Sequence, residues 1–513
     1  MIEKEQIEQQ LLDSIHNETT VTPQNELEST IFNHIKNFAI LGREYSRSGY
    51  VASMLKKNKS FHGSQIQKQL FHKLVTCGEL SLDYPIELAK SNISIRFKKH
   101  IFDEIKKMPP RNNKNLLDLT DLETYTIDNE STKDRDDAFS LSEDIIWIHI
   151  TDVSSLIEKD SILDKEAFNR SSTLYLPEGT IPMLPISISE EIGSINVNEP
   201  KKCLSLKLTT NQDGEIIDSS FHQTLIKSNK SISYKESDLI LSDKTHELYC
   251  SMKKIQKTTE WARQQRYESG AFELLTRDEM RVNPNISEQV SVEVVKRDSP
   301  SSLLIAELMI TYNCKIAEFL KNHQIPASYK TQKSPDTDEL NNLPKGILGN
   351  YMIGRILQPS IRSRSADWHF GLGVNVYTQA SSPLRRYSDL CIQRQIINYI
   401  ETGNISYSED EISAICHSVD TQMRNLSQIE KTRTRYWFLK YLQESYIEKD
   451  NTIMEAVSLE DGSDRRTAFQ LNNYPYRNKC IFTHKIKAGQ KVTVKLSGVD
   501  LWEKTAQFTY LQQ

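Results

Sequence analysis

Apolar positions recur along this chain with two different periods, and the changes of period mark its organisation. Up to about residue 112 the spacing is helical. SGYVASMLKKNKS has it. Ile66, Leu70, Leu74 and Val75 then share one face of a helix that Ser64 would cap and that ends near Gly78. The GELSLDY that follows reads as a short strand. Helix, helix, helix, strand is compatible with a winged-helix module and equally with a small helical domain of another kind. RFKKHIFDEIKKM continues as a charged helix into Pro109-Pro110. PPRNNKN breaks both helix and strand, which makes it a linker.

From about 115 to 230 the period shortens to two. WIHITDV and LSLKLTT alternate, and NQDGE is a turn signal before the next strand. Helical spacing dominates from about 250 to 450. Short strands return after that in RNKCIFTH, KVTVKLSGVD and KTAQFTYL. The predicted class is α+β and multidomain, with a helical region over 1–112, a central domain over 113–448 and a small β-domain over 449–513.

Composition narrows the setting. A length of 513 residues suits two to four domains. No apolar run approaches the roughly 20 residues that span a bilayer. The polar start MIEKEQIEQQLLDS is no secretory signal. Seven cysteines are scattered with no Cys-x-x-Cys, which suits free thiols in a reducing cytoplasm. The net charge of −5 does not by itself point to a polyanionic partner. Residues 451–513 differ, with nine Lys and Arg against six Asp and Glu, a net of +3. A basic β-domain with Phe and Tyr interleaved suits an OB-fold on single-stranded nucleic acid, although packing alone also accounts for the aromatics.

Two stretches carry candidate chemistry. TIDNESTKDRDDAFSL places Asp128, Asp134, Asp136 and Asp137 between two strands. Such a loop is ordinarily a solvated turn. It is not an EF-hand, because the central Gly and closing Glu are missing. If the strand ends converge, the four carboxylates repel one another unless a cation such as Mg²⁺ joins them. In YTQASSPLRRYSDLCIQRQIINYI, Ser382 reads as a helix N-cap and Pro383 as the first helical residue. Arg385 and Arg386 would then sit in the first turn, where cations oppose the helix dipole. A phosphate at that terminus would favour them, and so would an ion pair to Asp389. Carboxylates and arginines together suggest metal-assisted phosphoryl transfer.

These stretches resemble the RNB family, the ribonuclease II/ribonuclease R exoribonucleases. The likeness lies in LLDLTDLETYTIDNESTKDRDDAFSL, in WIHITDVSSLIEKDSILDKEAFNRSSTLYLPEGTIPMLP and in HFGLGVNVYTQASSPLRRYSDL, and covers roughly 115 to 445. It implies processive 3′→5′ hydrolysis of single-stranded RNA to nucleoside 5′-monophosphates, with Mg²⁺ (or Mn²⁺) as cofactor and a short oligonucleotide left over. By position, Asp128, Asp134, Asp136 and Asp137 match the acidic residues around the metal. Asp128 and Asp137 are the direct ligands, and Asp136 positions the attacking water or a second metal. Arg385 matches the arginine on the scissile phosphate, and Arg386 is assigned a more structural place beside it. Tyr175 and Tyr234 match aromatics that contact RNA, Tyr175 by stacking on the terminal bases. Glu307 and Glu430 match family glutamates, although Glu307 reads locally as a helix-boundary residue and Ser427-x-x-Glu430 as a capping box. His149 and Asp152 read as structural.

The sequence departs from the family in places. Ser381 replaces a Thr, and Lys330 stands where Arg is common, which weakens a fork-like contact. Members usually carry two cold-shock OB-folds ahead of the catalytic domain, which 112 helix-leaning residues cannot hold. Ribonuclease R members often end in a Lys-rich tail, whereas this sequence stops at FTYLQQ, so the resemblance leaves activity on structured RNA open. A cytoplasmic monomer acting on single-stranded RNA, with no membrane and no protein partner implied, is the resulting expectation. An RNA-binding protein without cleavage and a DNA nuclease are the alternatives.

Overall fold

The computed structural model describes residues 2–58, 61, 65–91, 93–108, 116–272, 278–285, 289–335, 340 and 343–512. The expected Ser64 cap and the PPRNNKN linker lie outside the described residues. Two compact units emerge. One comprises 1–95, 428–436 and 500–505, and the other comprises 96–427, 437–499 and 506–513.

The first unit is helical: α1 (Ile2–His16), α2 (Glu26–Leu41), α3 (Ser48–Lys57), α4 (Ile66–Thr76) and α5 (Ile86–Lys90). Asn25 caps α2, its side chain accepting from Glu28 N–H at 2.9 Å. The stripe expected from sequence is the one that is buried, since Leu70 and Leu74 join Leu12, Ile15, Ile31, Ile35 and Leu55 in one core. Two distant segments complete this unit. Arg433 donates to Asp83 O at 3.0 Å, and Trp502 packs on Phe71 with ring centroids 5.1 Å apart. The strand expected at GELSLDY is absent. Residues 78–84 form turns around Gly78, whose φ of 75° follows directly on the end of α4. The described residues of this unit therefore lack the strand on which the winged-helix reading rested.

The second unit begins with α6 (Lys99–Ile105) and is built around a mixed sheet. Its strands are β1 (Leu117–Asp118), β2 (Thr124–Asp128), β3 (Asp137–Ser142) and β4 (Ile145–Thr151). After α7 (Ile162–Arg170) and the small hairpin β5 (Leu174–Leu176) and β6 (Gly179–Ile181) come β7 (Pro200–Thr210), β8 (Ile216–Lys227) and β9 (Lys230–Ser233). The strand order is β1-β8-β7-β4-β3-β2-β9. The middle strands pair antiparallel, and β1 and β9 add parallel at the two edges. The alternation read in WIHITDV and LSLKLTT corresponds to β4 and β7, with NQDGE turning into β8.

Helices α8 (Tyr234–Ser242), α9 (Tyr249–Glu268) and α10 (Pro300–Asn322) follow, α10 lying after the hairpin β10 (Asp278–Asn283) and β11 (Ser291–Lys296). Leu304, Leu308, Tyr312 and Ile316 of α10 share a core with Ile148, Leu204 and Leu206 of the sheet. Strand β12 (Tyr329–Thr331), helix α11 (Ile347–Ile356) and strand β13 (Ile361–Ser363) precede α12 (Tyr387–Thr402) and α13 (Glu409–Leu442). Ser408 and Glu411 form a true capping box on α13. Ser427 and Glu430, expected as such a box, lie in the interior of that helix instead. The chain ends in a five-stranded, OB-like near-barrel of β14 (Ile453–Ser458), β15 (Arg466–Leu471), β16 (Arg477–Ile481), β17 (Lys491–Asp500) and β18 (Thr505–Leu511), in the order β16-β15-β14-β17-β18.

One feature of the mixed sheet is polar throughout. Thr124, Ser140, His149, Ser205 and Thr224, all fully buried, lie on five adjacent strands. Thr124 and Ser140 hydroxyls meet at 2.8 Å, and Ser140 meets His149 Nε2 at 2.8 Å. His149 Nδ1 meets Ser205 at 2.7 Å, and Ser205 meets Thr224 at 2.6 Å. Burial drives the His149 pKa down to about 3, so the ring is neutral. One ring nitrogen then donates and the other accepts, which gives the ladder a direction. His149 is structural, as the sequence reading held. Replacing it with Leu strands two buried hydroxyls. The expected cost is about 2–4 kcal/mol in the urea-induced unfolding of this unit. A change below about 0.5 kcal/mol would show that the ladder does not support the sheet.

Candidate active site

Strand pairing brings the acidic stretch to one end of the sheet. β2 and β9 run parallel with Asp128 opposite Ser233, so Tyr234 follows beside Asp128. β3 starts at Asp137, opposite Ile150 of β4. The loop between them is pinned rather than solvated. Arg135 N–H donates to Ser194 Oγ at 3.1 Å, Ser194 Oγ donates to Lys133 O at 2.7 Å, and Ile195 N–H donates to Arg135 O at 3.0 Å.

The four aspartates have different surroundings. Asp136 is buried, and both its oxygens are engaged. Oδ1 accepts from Leu384 N–H at 2.9 Å and Oδ2 from Arg385 Nε at 3.1 Å. Asp134 Oδ2 accepts from the Tyr175 hydroxyl at 2.8 Å. Asp128 and Asp137, half-buried, accept no hydrogen bond from the described residues. Desolvation pushes the Asp128 pKa up to about 6, with Asp134 adding to the rise and Arg135 opposing it. Asp137 is held well above the usual carboxylate range by desolvation and then by Asp128 and Asp136. Burial lifts Asp136 to about 7 against the pull of Arg385 and the Leu384 N–H. Tyr234, which opens α8 after the Ser233 cap, is raised by burial and then by Asp137 and Asp128.

The arginine stretch is not helical where the sequence suggested. α12 starts at Tyr387, and Arg386 takes the N-cap position. Residues 382–385 instead form a turn held from outside. Ser382 N–H donates to Asp389 Oδ2 at 3.0 Å, Thr173 N–H donates to Arg385 O at 3.0 Å, and Tyr387 N–H donates to Ser171 O at 2.9 Å. These bonds override the Ser-Pro helix-start signal. They also place Arg385 just outside the helix, one residue before its N-cap. Arg386 pairs with Asp389 at 2.6 Å, so Arg386, expected among the RNA contacts, is committed to an internal ion pair. Arg385 Nη2 donates to Ser382 Oγ at 2.8 Å; burial opposes the guanidinium's charge, and Asp136, Tyr175, Asp389 and Asp134 together offset it. Because residues 172–173 are bonded to 385–386, the hairpin β5–β6 carries exposed Tyr175 to the same place.

Among the described residues, no three His, Cys, Asp or Glu side chains converge tightly enough to cage a metal ion. Of the four expected carboxylates, Asp134 and Asp136 accept hydrogen bonds from Tyr175, Leu384 and Arg385. Asp128 and Asp137 remain, two hard oxygen donors whose charges have no hydrogen-bond donor on them. That donor set fits Mg²⁺, which takes one or two carboxylates and fills its other positions with water and phosphate oxygens.

Glu307 is also not the boundary residue it resembled. It is buried in a two-pronged pair with Arg266, one bond being Arg266 Nε to Oε2 at 3.0 Å, and Arg266 Nη1 also donates to Leu372 O at 2.8 Å. Asp152 accepts from Ser155 N–H at 3.0 Å and pairs with Lys202 at 3.1 Å, a structural place as expected. Sequence reading passed over Asn313 and Gln393. Asn313 Oδ1 accepts from Ala380 N–H at 2.9 Å, which fixes the approach to the arginines. Gln393 accepts from Val153 N–H at 2.9 Å and donates to Thr151 O at 2.8 Å, which fixes the end of β4. Their signal was only an amide on an otherwise apolar helix face.

Residues 116–402 match the RNB domain family model. An uncharacterized ribonuclease of Synechocystis sp. is 28% identical over 411 residues, covering 76% of this chain and 59% of that protein. The chain thus spans less than two thirds of that relative. The structure of Mycoplasma genitalium RNase R in complex with ribose-methylated single-stranded RNA superposes with a TM-score of 0.72 at 19% identity, covering 83% of this chain and 77% of that one. Yeast Ssd1, a pseudonuclease, superposes with a TM-score of 0.60 at 16% identity, covering 73% and 51%. The fold is thus shared with a protein that does not cut.

Raised carboxyl pKa values have a thermodynamic sign. Each such group deprotonates against the fold, so the metal-free protein loses their stabilisation as pH rises from 3.8 through about 6 and 7. Asp137→Asn removes one of the repelling charges without changing its size. Without metal, this variant should melt a few degrees above wild type near pH 8 and equal to it near pH 4. It should also lose most of the thermal shift that Mg²⁺ gives wild type. Equal melting temperatures at both pH values would exclude the charge crowding.

Proposed function

The chain belongs to the RNB family, and we propose that it hydrolyses single-stranded RNA processively from the 3′ end to nucleoside 5′-monophosphates, leaving a short oligonucleotide. One observation carries this reading. A guanidinium held by a buried carboxylate, Arg385 on Asp136, stands beside two carboxylates, Asp128 and Asp137, that lack any donor of their own. This is the charge arrangement a phosphodiester and a divalent ion require. The fold alone does not suffice, as the pseudonuclease relative makes plain.

Nucleases of this family are metal-dependent. We take the ion to be Mg²⁺, with Mn²⁺ as a substitute, held by Asp128 and Asp137 with Asp134 and Asp136 beside it. When bound, it would supply Lewis-acid polarisation of the phosphoryl oxygens and activation of water. The residues of the chain do the rest. Arg385 faces the scissile phosphate and offsets the charge that develops on it. Asp136 orients Arg385 through Nε and leaves Nη1 for the substrate. Tyr175 offers an exposed ring for stacking on the terminal base, and Tyr234 lines the carboxylate side. Arg386 supports Arg385 from its pair with Asp389. In this reading, residues 113–448 form the catalytic domain and 449–513 an OB-fold that holds the incoming strand, while 1–112 keep no assigned partner. The free cysteines suit a reducing compartment, in keeping with a cytoplasmic monomer.

A time course on 5′-labelled single-stranded RNA with Mg²⁺, beside the matching DNA, tests the reading. A ladder that shortens from the 3′ end on RNA only is the expected result. Tight binding without cleavage would support an RNA-binding role instead, and equal cleavage of DNA would favour a DNA nuclease. Asp136→Asn weakens the hold on Arg385, so cleavage should fall at least about 100-fold with RNA binding kept. Full activity in that variant would remove the site assignment. Tyr175→Ala should lengthen or blur the final product, and an unchanged ladder would reject stacking by this ring.

A further inference from the structure

Strand β12 carries a cation with no partner. Lys330 is half-buried, and its ammonium makes no hydrogen bond or ion pair among the described residues. Directly opposite it on β13 stands a second cation, Arg362. Like charges at opposed positions of an antiparallel pair destabilise it. Arg362 is compensated in full. Its Nε pairs with Asp420 at 2.5 Å, Nη1 donates to Ser328 Oγ at 3.3 Å, and Nη2 donates to Ser388 Oγ at 3.2 Å. Asp420 makes its ion pair with Arg362, and it and Asp389 reach Lys330 only as longer-range attraction, without a hydrogen bond or ion pair to the ammonium. Burial and then Arg362 draw the Lys330 pKa down to about 8, which is what an uncompensated cation in this position would show.

The same bonds locate Lys330 relative to the candidate active site. Ser388 Oγ donates to Asp389 Oδ1 at 3.1 Å, and Asp389 holds both Arg386 and the Ser382 N–H. Lys330 N–H donates to Tyr377 O at 2.8 Å, on the segment that leads into Arg385. A continuous polar chain therefore runs from the neighbour of Lys330 to the turn that presents Arg385.

We infer that Lys330 binds an internucleotide phosphate of single-stranded RNA, a second backbone contact beyond the phosphate that Arg385 faces. This rests on the RNA-hydrolase reading and adds a residue to it. An ammonium acts as a point charge without fork geometry, so it suits a sliding backbone contact in a processive enzyme.

Binding of a fluorescent single-stranded oligoribonucleotide to the full chain, in EDTA to prevent hydrolysis, tests the inference across a range of salt. Lys330→Gln should raise Kd about fivefold and make the slope of log K against log salt shallower by about 0.7, the value for one phosphate on a single strand. Lys330→Arg should keep both. The melting temperature of Lys330→Gln should equal or exceed that of wild type, because repulsion from Arg362 is relieved. An unchanged salt slope in a normally folded Lys330→Gln would overturn the inference and leave the function standing. A lowered melting temperature with an unchanged slope would make Lys330 structural, and would overturn it as well. Wild-type protein that fails to bind RNA at any salt would remove the functional reading itself.

Discussion

The arrangement of this site depends on one buried carboxylate. Asp136 has lost its water, and its two oxygens are filled by Leu384 N–H and Arg385 Nε. The bond ties the loop between β2 and β3 to a turn 249 residues later in the chain. Asp136 is buried while Arg385 keeps an exposed side, so removing the arginine would leave a buried carboxylate without its nearest counter-charge. The contact is therefore enforced once the two stretches meet. It also sets the charges around it. Asp136 takes up Arg385 by hydrogen bond, so Asp128 and Asp137 keep only the longer-range pull of Arg135, Arg385 and Arg386 against desolvation and their mutual repulsion. Their raised pKa values follow directly, and a divalent cation is the simplest species that would relieve them.

The rest of the unit serves to hold those two strand ends and that turn. The ladder from Thr124 through His149 to Thr224 fixes the strands laterally, because each hydroxyl has one partner in each direction. Gln393 fixes the end of β4 from α12, and Asn313 fixes the residues before the turn from α10. Gly373 shows how tightly the surroundings close. Its φ is 64°, and a Cβ there would lie 2.5 Å from Arg266 O, so the backbone of the HFGLG stretch comes within reach of the end of α9. Arg266 then bonds both Glu307 and the Leu372 carbonyl. These are non-local constraints that fix geometry without touching the candidate chemistry.

That distinction explains what could be read from the sequence. Period-3.6 spacing identified α4 and α6, and alternation of apolar with polar residues identified β4 and β7, although β4 is buried on both faces and its polar positions carry the hydroxyl–histidine ladder. The crowding of Asp128, Asp134, Asp136 and Asp137 located the site because so many carboxylates in one loop are locally unfavourable. What failed was each inference from a short local motif whose residues had a stronger distant partner. Ser382-Pro383 reads as a helix start, but Asp389, Thr173 and Ser171 capture that backbone first. Ser427-x-x-Glu430 matches a capping box, yet α13 runs straight through it from its real cap at Ser408. Glu307 looks like a boundary residue until Arg266 arrives from α9. The division of the four aspartates into two engaged and two unengaged had no local signal, because it depends on Tyr175, Leu384 and Arg385; only the family resemblance set Asp128 and Asp137 apart.

The cations of this region have a consequence for any polyanion that binds it. Arg385 is held by Asp136, Arg386 by Asp389, Arg394 by Asp164, Arg362 by Asp420 and Arg266 by Glu307. Each pair is neutral as a unit and does little to attract charge from a distance. The chain as a whole carries −5. If the chain takes RNA as proposed, net charge supplies little long-range steering, and affinity comes from contacts made after encounter. In the proposed function those contacts include the open face of Arg385, the exposed ring of Tyr175, the ammonium of Lys330 and the basic β-domain. An enzyme built in this way holds its substrate through a small number of backbone and stacking contacts that any sequence can satisfy. Such contacts break and re-form one nucleotide at a time, which is the physical requirement for moving along a strand without reading it.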